Sequence, residues 1–347
     1  MRVRDIFLSG IGAVIPETET VGSAVERGAF PAEKVANLGF TAAAVAGDRP
    51  APDMALEAAR AALKTSGLSP TELVLLVYAD VWYQGPEGWG PQYHLQKHLV
   101  GDDLLAFELK HGCNGMFSGM ELAVGALRAE PHRRAAMVVG ADNFGTPLME
   151  RWNPGTGLVV LGDGASAVVL AKDSGFARLL SICTASFTDM EEAYRAGEPM
   201  MPPGITVGRV LDFVSRLEAF KEKMVAEGIG WTMGIRHHQR YIEIMHRALE
   251  EAEVEAADIK RVIVHNLAEE EVEPYLGVLG FTMDQSTWDF GSTIGHIGVN
   301  DHVLSLHHLL STGEVGPGDH ILMCGFAAGV TYKAAVVQIL AMPSLAD

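Results

Sequence analysis

Cysteine is scarce. Only Cys113, Cys183 and Cys324 occur, far apart and without paired spacing. That pattern excludes a disulfide framework and the clustered spacing of a zinc site. No metal is expected, and a reducing, cytoplasmic compartment is. Long apolar runs are also missing. The longest, such as Leu158 to Leu161 and Ala165 to Ala171, have strand length, far below the roughly 20 residues of a membrane-spanning helix. No signal peptide is expected, because Met1-Arg-Val-Arg-Asp5 leads into a short strand. Basic charge is in deficit. A net charge of -18 argues against nucleic acid and anionic membranes as partners. An anionic substrate or acidic carrier would then need a local basic patch. Arg133-Arg134 and the Arg236 to Arg240 stretch are candidates, set against ordinary solvated surface charge. What the chain does have is a 48% hydrophobic composition over 347 residues, enough for one large domain or two fused halves.

The chain repeats itself. Residues 62–79 and 248–265 each read as a helix end, a short acidic turn and an apolar strand. Ala62/Ala248, Leu63/Leu249, Leu68/Val254, Glu72/Asp258 and Leu73/Ile259 fall in step. Gly112-Cys113 opens a helix leading to the strand Ala135 to Gly140, and Gly295-His296 opens a helix leading to Ile321 to Gly325. Strands alternating with helices imply parallel units buried on both faces. A duplicated α/β fold of two pseudo-symmetric halves is expected. Corresponding turns then meet across one interface, so Cys113 faces His296 and His265. The expected divisions are 1–175 for the first half and 241–347 for the second. Between them, 176–240 is a segment covering the site, with a turn-rich stretch at Glu198 to Gly204 and a helical pattern from Val210 to Met224.

Cys113 is the strongest candidate for chemistry. It follows the strand-like Leu104-Leu-Ala-Phe107 and precedes Met116, Met120, Ala123 and Leu127 at helical spacing. Gly112 and Gly115 allow a sharp turn. Free N–H groups and the dipole at a helix start favour a thiolate, the nucleophilic form of the side chain. A buried structural thiol is the plain alternative.

These segments resemble the thiolase superfamily, specifically its ketoacyl-acyl-carrier-protein synthase III branch. The resemblance runs through His111-Gly-Cys-Asn-Gly-Met-Phe-Ser-Gly119, Gly162-Asp-Gly-Ala-Ser-Ala167, Val264-His-Asn-Leu267, Gly295-His-Ile-Gly298 and Gly325-Phe-Ala-Ala-Gly329. It implies a thiolase-like fold in five layers, α-β-α-β-α, and a homodimer paired through Leu104 to Phe107 and the aromatic loop from Trp82 to Trp89. It also implies Cys113 as the nucleophile and His265 as the family histidine, donating to the substrate carbonyl or polarising Cys113. Backbone N–H groups of Cys113 and Ala328 would hold the oxyanion. Trp89, Phe326 and Asn266 are expected along the substrate channel. The substrate is an acyl thioester of an acyl carrier protein or coenzyme A, with no bound cofactor. Two departures bear on the donor. The N-terminal region lacks the Trp/Arg pair expected to clamp adenine, and Gly155-Thr-Gly157 stands where a second family arginine is expected.

The largest departure is His296, where the family has asparagine, followed by Asp301. A decarboxylating condensation needs only neutral donors to its enolate. Transfer to a hydroxyl or amine needs a base for the acceptor proton. A histidine oriented by a carboxylate supplies one. The expected activity is therefore acyl transfer through acyl-Cys113 to a small-molecule hydroxyl or amine, such as a sugar or cyclitol of a natural product. His296→Asn is expected to spare acylation, taken to rely on the helix start and His265. A decarboxylative ketoacyl synthase is the first alternative, since Cys-His-His sites also condense carbon. A catalytically inactive, partner-binding homologue is the second.

Overall fold

The computed structural model describes residues 1–32, 38–152, 154, 158–201, 208–328 and 330–345. Its sheet runs β5-β4-β6-β7-β1-β8-β11-β10-β9. The strands are β1 (Phe7–Val14), β2 (Thr18–Thr20), β3 (Ala42–Ala44), β4 (Leu73–Ala79), β5 (Leu105–Leu109), β6 (Ala135–Asp142), β7 (Gly164–Ala171), β8 (Ala177–Ser186), β9 (Ile259–Ile263), β10 (His320–Ala327) and β11 (Thr331–Ile339). Short strands β2 and β3 pair separately.

The order is palindromic about the β1–β8 junction. β4, β6, β7 and β1 in the first half match β9, β10, β11 and β8 in the second. In each half a parallel pair gives way to antiparallel neighbours. β1 and β8 join the two half-sheets at Phe7↔Arg178 and Leu8↔Ala177, and Arg2 bridges Ser181 beside them. The echo extends to the helix ends. Helix α1 (Ala51–Ser66) stops at Gly67 with φ 67°, and α4 (Gly230–Ala252) stops at Glu253 with φ 57°. Both caps are left-handed, and each precedes a short 3-10 turn and a buried strand. A glutamate accepts there the conformation that glycine takes more readily. The second half keeps only a vestige of β5: Ser286 bridges Val262 in parallel.

Burial builds five layers. Helix α1 packs on β1, β7 and β6 through Met54, Ala55, Ala58 and Ala62. Helix α2 (Gly115–Ala129) and helix α5 (Asp301–Thr312) fill the centre, where Met116, Phe117 and Met120 meet Val303, Leu306 and strand residues of both halves. Helix α4 covers β8 and β11 through Tyr241, Ile244, Met245 and Ala248. Strands such as β6 and β7 are buried along their whole length, as strands sandwiched between helix layers must be.

The middle segment is narrower than expected. β8 pairs with β11 from Ala177 to Ser186, so it belongs to the second half. The helical pattern of α4 runs unbroken across residue 240. Residues 187–229 remain as the cover, including helix α3 (Phe213–Ala226). Part of the turn-rich stretch, residues 202–204, lies outside the described residues.

Candidate active site

β5 ends at Leu109 and the chain turns through His111 to Asn114 into α2. Gly112 sits at φ +55°, and a Cβ there would lie 3.0 Å from Ala327 Cβ and 3.6 Å from the Ala328 nitrogen. Glycine thus lets the nucleophile turn close on the loop after β10. Cys113 and Ala328 line one cavity, as a backbone oxyanion site built from both requires.

His296 comes from the pseudo-symmetric turn before α5. Its amide donates to Val160 O at 2.7 Å, and its carbonyl accepts from Gly162 N at 2.9 Å. The ring bridges two partners. Nε2 lies 3.0 Å from Cys113 Sγ, and Nδ1 lies 2.5 Å from Asp301 Oδ2. Asp301 opens α5, where the helix dipole favours a carboxylate. Asp301 Oδ1 accepts from Ile297 N at 2.7 Å, and Oδ2 from Asn266 N at 2.9 Å. Cys113, His296 and Asp301 form a connected thiol–imidazole–carboxylate chain.

His265 sits beside this chain. Its Nδ1 lies 3.4 Å from Asp301 Oδ2, too poorly aligned for a hydrogen bond. Neither ring nitrogen has a hydrogen-bond partner among the described residues. Its ring packs on His302 at 4.4 Å. The contact to Cys113 expected of His265 is made by His296 instead. Ligand atoms of His265, His296 and Asp301 lie within 4.8 Å of one another, close enough for a metal. His296 Nδ1 and Asp301 Oδ2 are already spent on each other, which favours a proton-handling role.

Environment separates the two histidines. Burial lowers the His265 pKa, and the Asp301 carboxylate offsets this only partly, so His265 is neutral. Burial also opposes charge on His296, but the Asp301 carboxylate and the Cys113 charge outweigh it and hold His296 well above the ordinary histidine value. Burial would raise Asp301, yet the two histidines hold it well below the usual carboxylate range.

Asp142 fixes the histidine turn from behind. It accepts from Val81 N and Trp82 N at 2.9 Å each, and from Val299 N at 3.2 Å. A Cβ on Gly298, at φ +52°, would come within 2.0 Å of Asp142 Oδ2. One first-half carboxylate therefore holds a wall of the cavity and the second-half turn bearing His296. Burial raises Asp142 to about 6 despite these three donors.

The cavity at Cys113 holds about 200 Å³. Phe326 lines it, as expected. Trp89 does not. Trp89 is 41% exposed and belongs to a separate groove of about 770 Å³ with Tyr83 and Arg49. Trp82 divides the two: it lines the cavity while its indole N–H donates to Thr146 of the groove at 2.9 Å. Asn266 is not a channel residue either. It is buried, and its side chain donates to Gly295 O at 2.7 Å. Asn266 braces the turn and carboxylate that hold His296. Gly155 to Gly157 and Gly329 lie outside the described residues.

The candidate basic patches are largely neutralised. Arg236 pairs with Asp189 at 2.5 Å and Arg240 with Glu243 at 2.9 Å. Arg134 pairs with Glu72 at 3.1 Å and with Asp173 at 2.8 Å. Asp142 and Tyr194 were not singled out from sequence, and Trp82 was expected only in the aromatic loop at a dimer contact, not as a wall of the cavity. Asp142 and Trp82 had only their position after apolar strand runs as a signal, and Tyr194 had none.

Comparison with known proteins agrees with this geometry. Residues 107–186 match the family described as 3-oxoacyl-[acyl-carrier-protein (ACP)] synthase III, and residues 249–339 match its C-terminal part. The solved structure of ChlB3, titled an acyltransferase, is 48% identical, with 98% of this chain and 99% of that one covered, at a TM-score of 0.92. The acetoacetyl CoA synthase NphT7 of Streptomyces sp. (strain CL190) is 26% identical over 84% of this chain and 85% of its own. The 3-oxoacyl-[acyl-carrier-protein] synthase III of Aquifex aeolicus VF5 shares the fold at a TM-score of 0.77 and 19% identity, over 96% of this chain and 99% of that one. Matched in both halves, and nearly half identical to a relative of the same length, the chain belongs to the ketoacyl-acyl-carrier-protein synthase III-like branch of the thiolase superfamily, whose members transfer or condense acyl groups.

Proposed function

We propose that this enzyme is an acyltransferase. It takes an acyl group from a carrier-protein or coenzyme A thioester onto Cys113 and passes it to a hydroxyl or amine of a small molecule in natural-product biosynthesis. The observation carrying this reading is the His296–Asp301 pair set against Cys113 Sγ. The near-half identity to ChlB3, titled an acyltransferase, points the same way.

Cys113 thiolate attacks the thioester carbon beside protonated His296. The tetrahedral oxyanion collapses, the donor thiolate leaves with the His296 proton, and acyl-Cys113 remains. Acylation removes the negative charge on sulfur that helped keep His296 protonated. The histidine is then neutral and available. It takes the acceptor proton as oxygen or nitrogen attacks, and Cys113 is expelled as thiolate. Asp301 keeps the ring oriented through both steps.

A decarboxylative condensation is the second reading. His265 favours it, because its neutral, unpartnered ring beside His296 could donate to an enolate. The deciding test follows acyl-enzyme decay by intact-protein mass spectrometry, with acceptor panels and with a malonyl thioester. Transfer to a hydroxyl or amine without carbon dioxide release is expected. Stoichiometric carbon dioxide with a carbon–carbon product would install the condensing reading. Acyl mass on the peptide of Cys183 or Cys324 would remove Cys113 as nucleophile.

The assembly proposed is a homodimer. β5 is an edge strand with Leu105 at 64% exposure, and Tyr83 and Tyr93 are exposed nearby. An open strand with apolar side chains invites pairing with a second copy. Sedimentation at micromolar concentration is expected to give the mass of two chains, and a monomer would contradict this.

A further inference from the structure

Apart from Cys113, His265 and His296, two side chains lining the cavity among the described residues carry N–H or O–H groups, Trp82 and Tyr194. The Trp82 indole N–H is occupied by Thr146. The Tyr194 hydroxyl has no hydrogen-bond partner among the described residues. The other described side chains of the lining are apolar, including Val81, Phe144, Leu158 and Phe213. Tyr194 is nevertheless held firmly. It ends the 3-10 turn Thr188–Tyr194, its ring meets Phe213 edge-to-face at 5.6 Å, and its carbonyl accepts from Arg216 at 3.3 Å. Burial, then the nearby Cys113 charge, push its phenol up to about 12, so it stays a neutral donor at any working pH.

We infer that Tyr194 is a specificity-determining residue whose hydroxyl donates a hydrogen bond to an oxygen substituent on an otherwise apolar acyl group. Tyr194 is half-buried, and a ligand that covers its hydroxyl without accepting from it is penalised. An all-hydrocarbon acyl group filling this cavity would strip water from Tyr194 and return nothing. An acyl group with one hydroxyl, keto or ether oxygen in reach would repair that loss. A polyhydroxylated acceptor would instead strand most of its polar groups against leucine and phenylalanine. The phenol therefore addresses the acyl group rather than the acceptor.

This inference rests on acylation of Cys113, the first half of the proposed function, and not on what receives the acyl group. The test reads acylation alone. Hexanoyl and the 3-, 4- and 5-hydroxyhexanoyl thioesters of N-acetylcysteamine are mixed with the full chain, and acyl-enzyme is timed by mass spectrometry. In each case Cys113 sulfur gains the acyl group and the N-acetylcysteamine thiol leaves with a proton. At least one hydroxylated thioester is expected to react roughly 10-fold faster than hexanoyl, the scale of one buried hydrogen bond. Tyr194→Phe is expected to erase that preference mainly by slowing the hydroxylated substrate. Equal slowing of all four thioesters would overturn the inference, because the hydroxyl would then serve the common carbonyl. No preference in the wild type, or a preference that survives Tyr194→Phe, would overturn it too. Absence of acylation by any thioester would count against the proposed function itself, and Cys113→Ala gives that baseline.

Discussion

Asp301→Asn is expected to lower acyl transfer by roughly 10⁴-fold, as loss of the orienting carboxylate does in a nucleophile–histidine–carboxylate site. The amide has nearly the same shape, but one of its two polar atoms becomes an N–H donor. It can no longer accept at once from His296 Nδ1, Ile297 N and Asn266 N. The histidine loses both its orientation and the charge that keeps it protonated at rest. Single-turnover kinetics should place the loss in both acylation and deacylation. Stability gives a second readout. The folded Asp301 pKa lies below its ordinary value. The associated stabilisation is therefore complete above the ordinary carboxylate range and lost as pH falls through the lower folded value. Thermal unfolding of the wild type should weaken toward acid more steeply than that of Asp301→Asn. Wild-type turnover in the variant would remove Asp301 from the mechanism.

His296→Asn should reduce transfer to a hydroxyl or amine by roughly 10²–10⁴-fold, the range for removing a general base. Asparagine is the usual family residue here and can still donate a hydrogen bond, but it cannot take a proton. Acylation is expected to slow as well, an outcome different from the one expected from sequence. Nε2 of His296 is the group 3.0 Å from Cys113 Sγ. Its removal deprives the thiolate of its counter-charge and the leaving thiolate of its proton. Rapid-quench measurements on wild type and variant separate the two steps. A variant that keeps turnover and releases carbon dioxide from a malonyl thioester would overturn the acyltransferase reading.

What could be read from the chain was local or repeated. The Gly112-Cys113 turn shows in glycine spacing, and the duplication shows in an offset shared by helix ends, caps and strands. His296 and Asp301 stand five residues apart on one turn, so their meeting needs little of the rest of the fold. Trp89, Asn266 and Tyr194 mark where such reading stops. Trp89 and Trp82 sit in the same aromatic loop, and only tertiary packing decides that Trp82 walls the cavity while Trp89 faces another groove. Asn266 follows His265 directly, yet its backbone N–H donates to the Asp301 carboxylate and its side-chain amide to Gly295 O. Tyr194 lies in the cover, which has no counterpart in the repeat and so no pattern to betray it. The division at residue 240 failed for a related reason: the helix crossing it serves the second half, although its first turns follow the cover without a break.

Asp142 gives the reactive thiol an additional meaning. Its three backbone bonds tie Val81 and Trp82 of one half to Val299 of the other, directly behind the turn that carries His296. The separation of sulfur and imidazole is thus a dimension of the seam, not of either half. The contact between Cys113 and His296 is a gauge of docking: it exists only while the two halves stay in register. Neither half alone holds both side chains, so a chain with one half folded has no such pair.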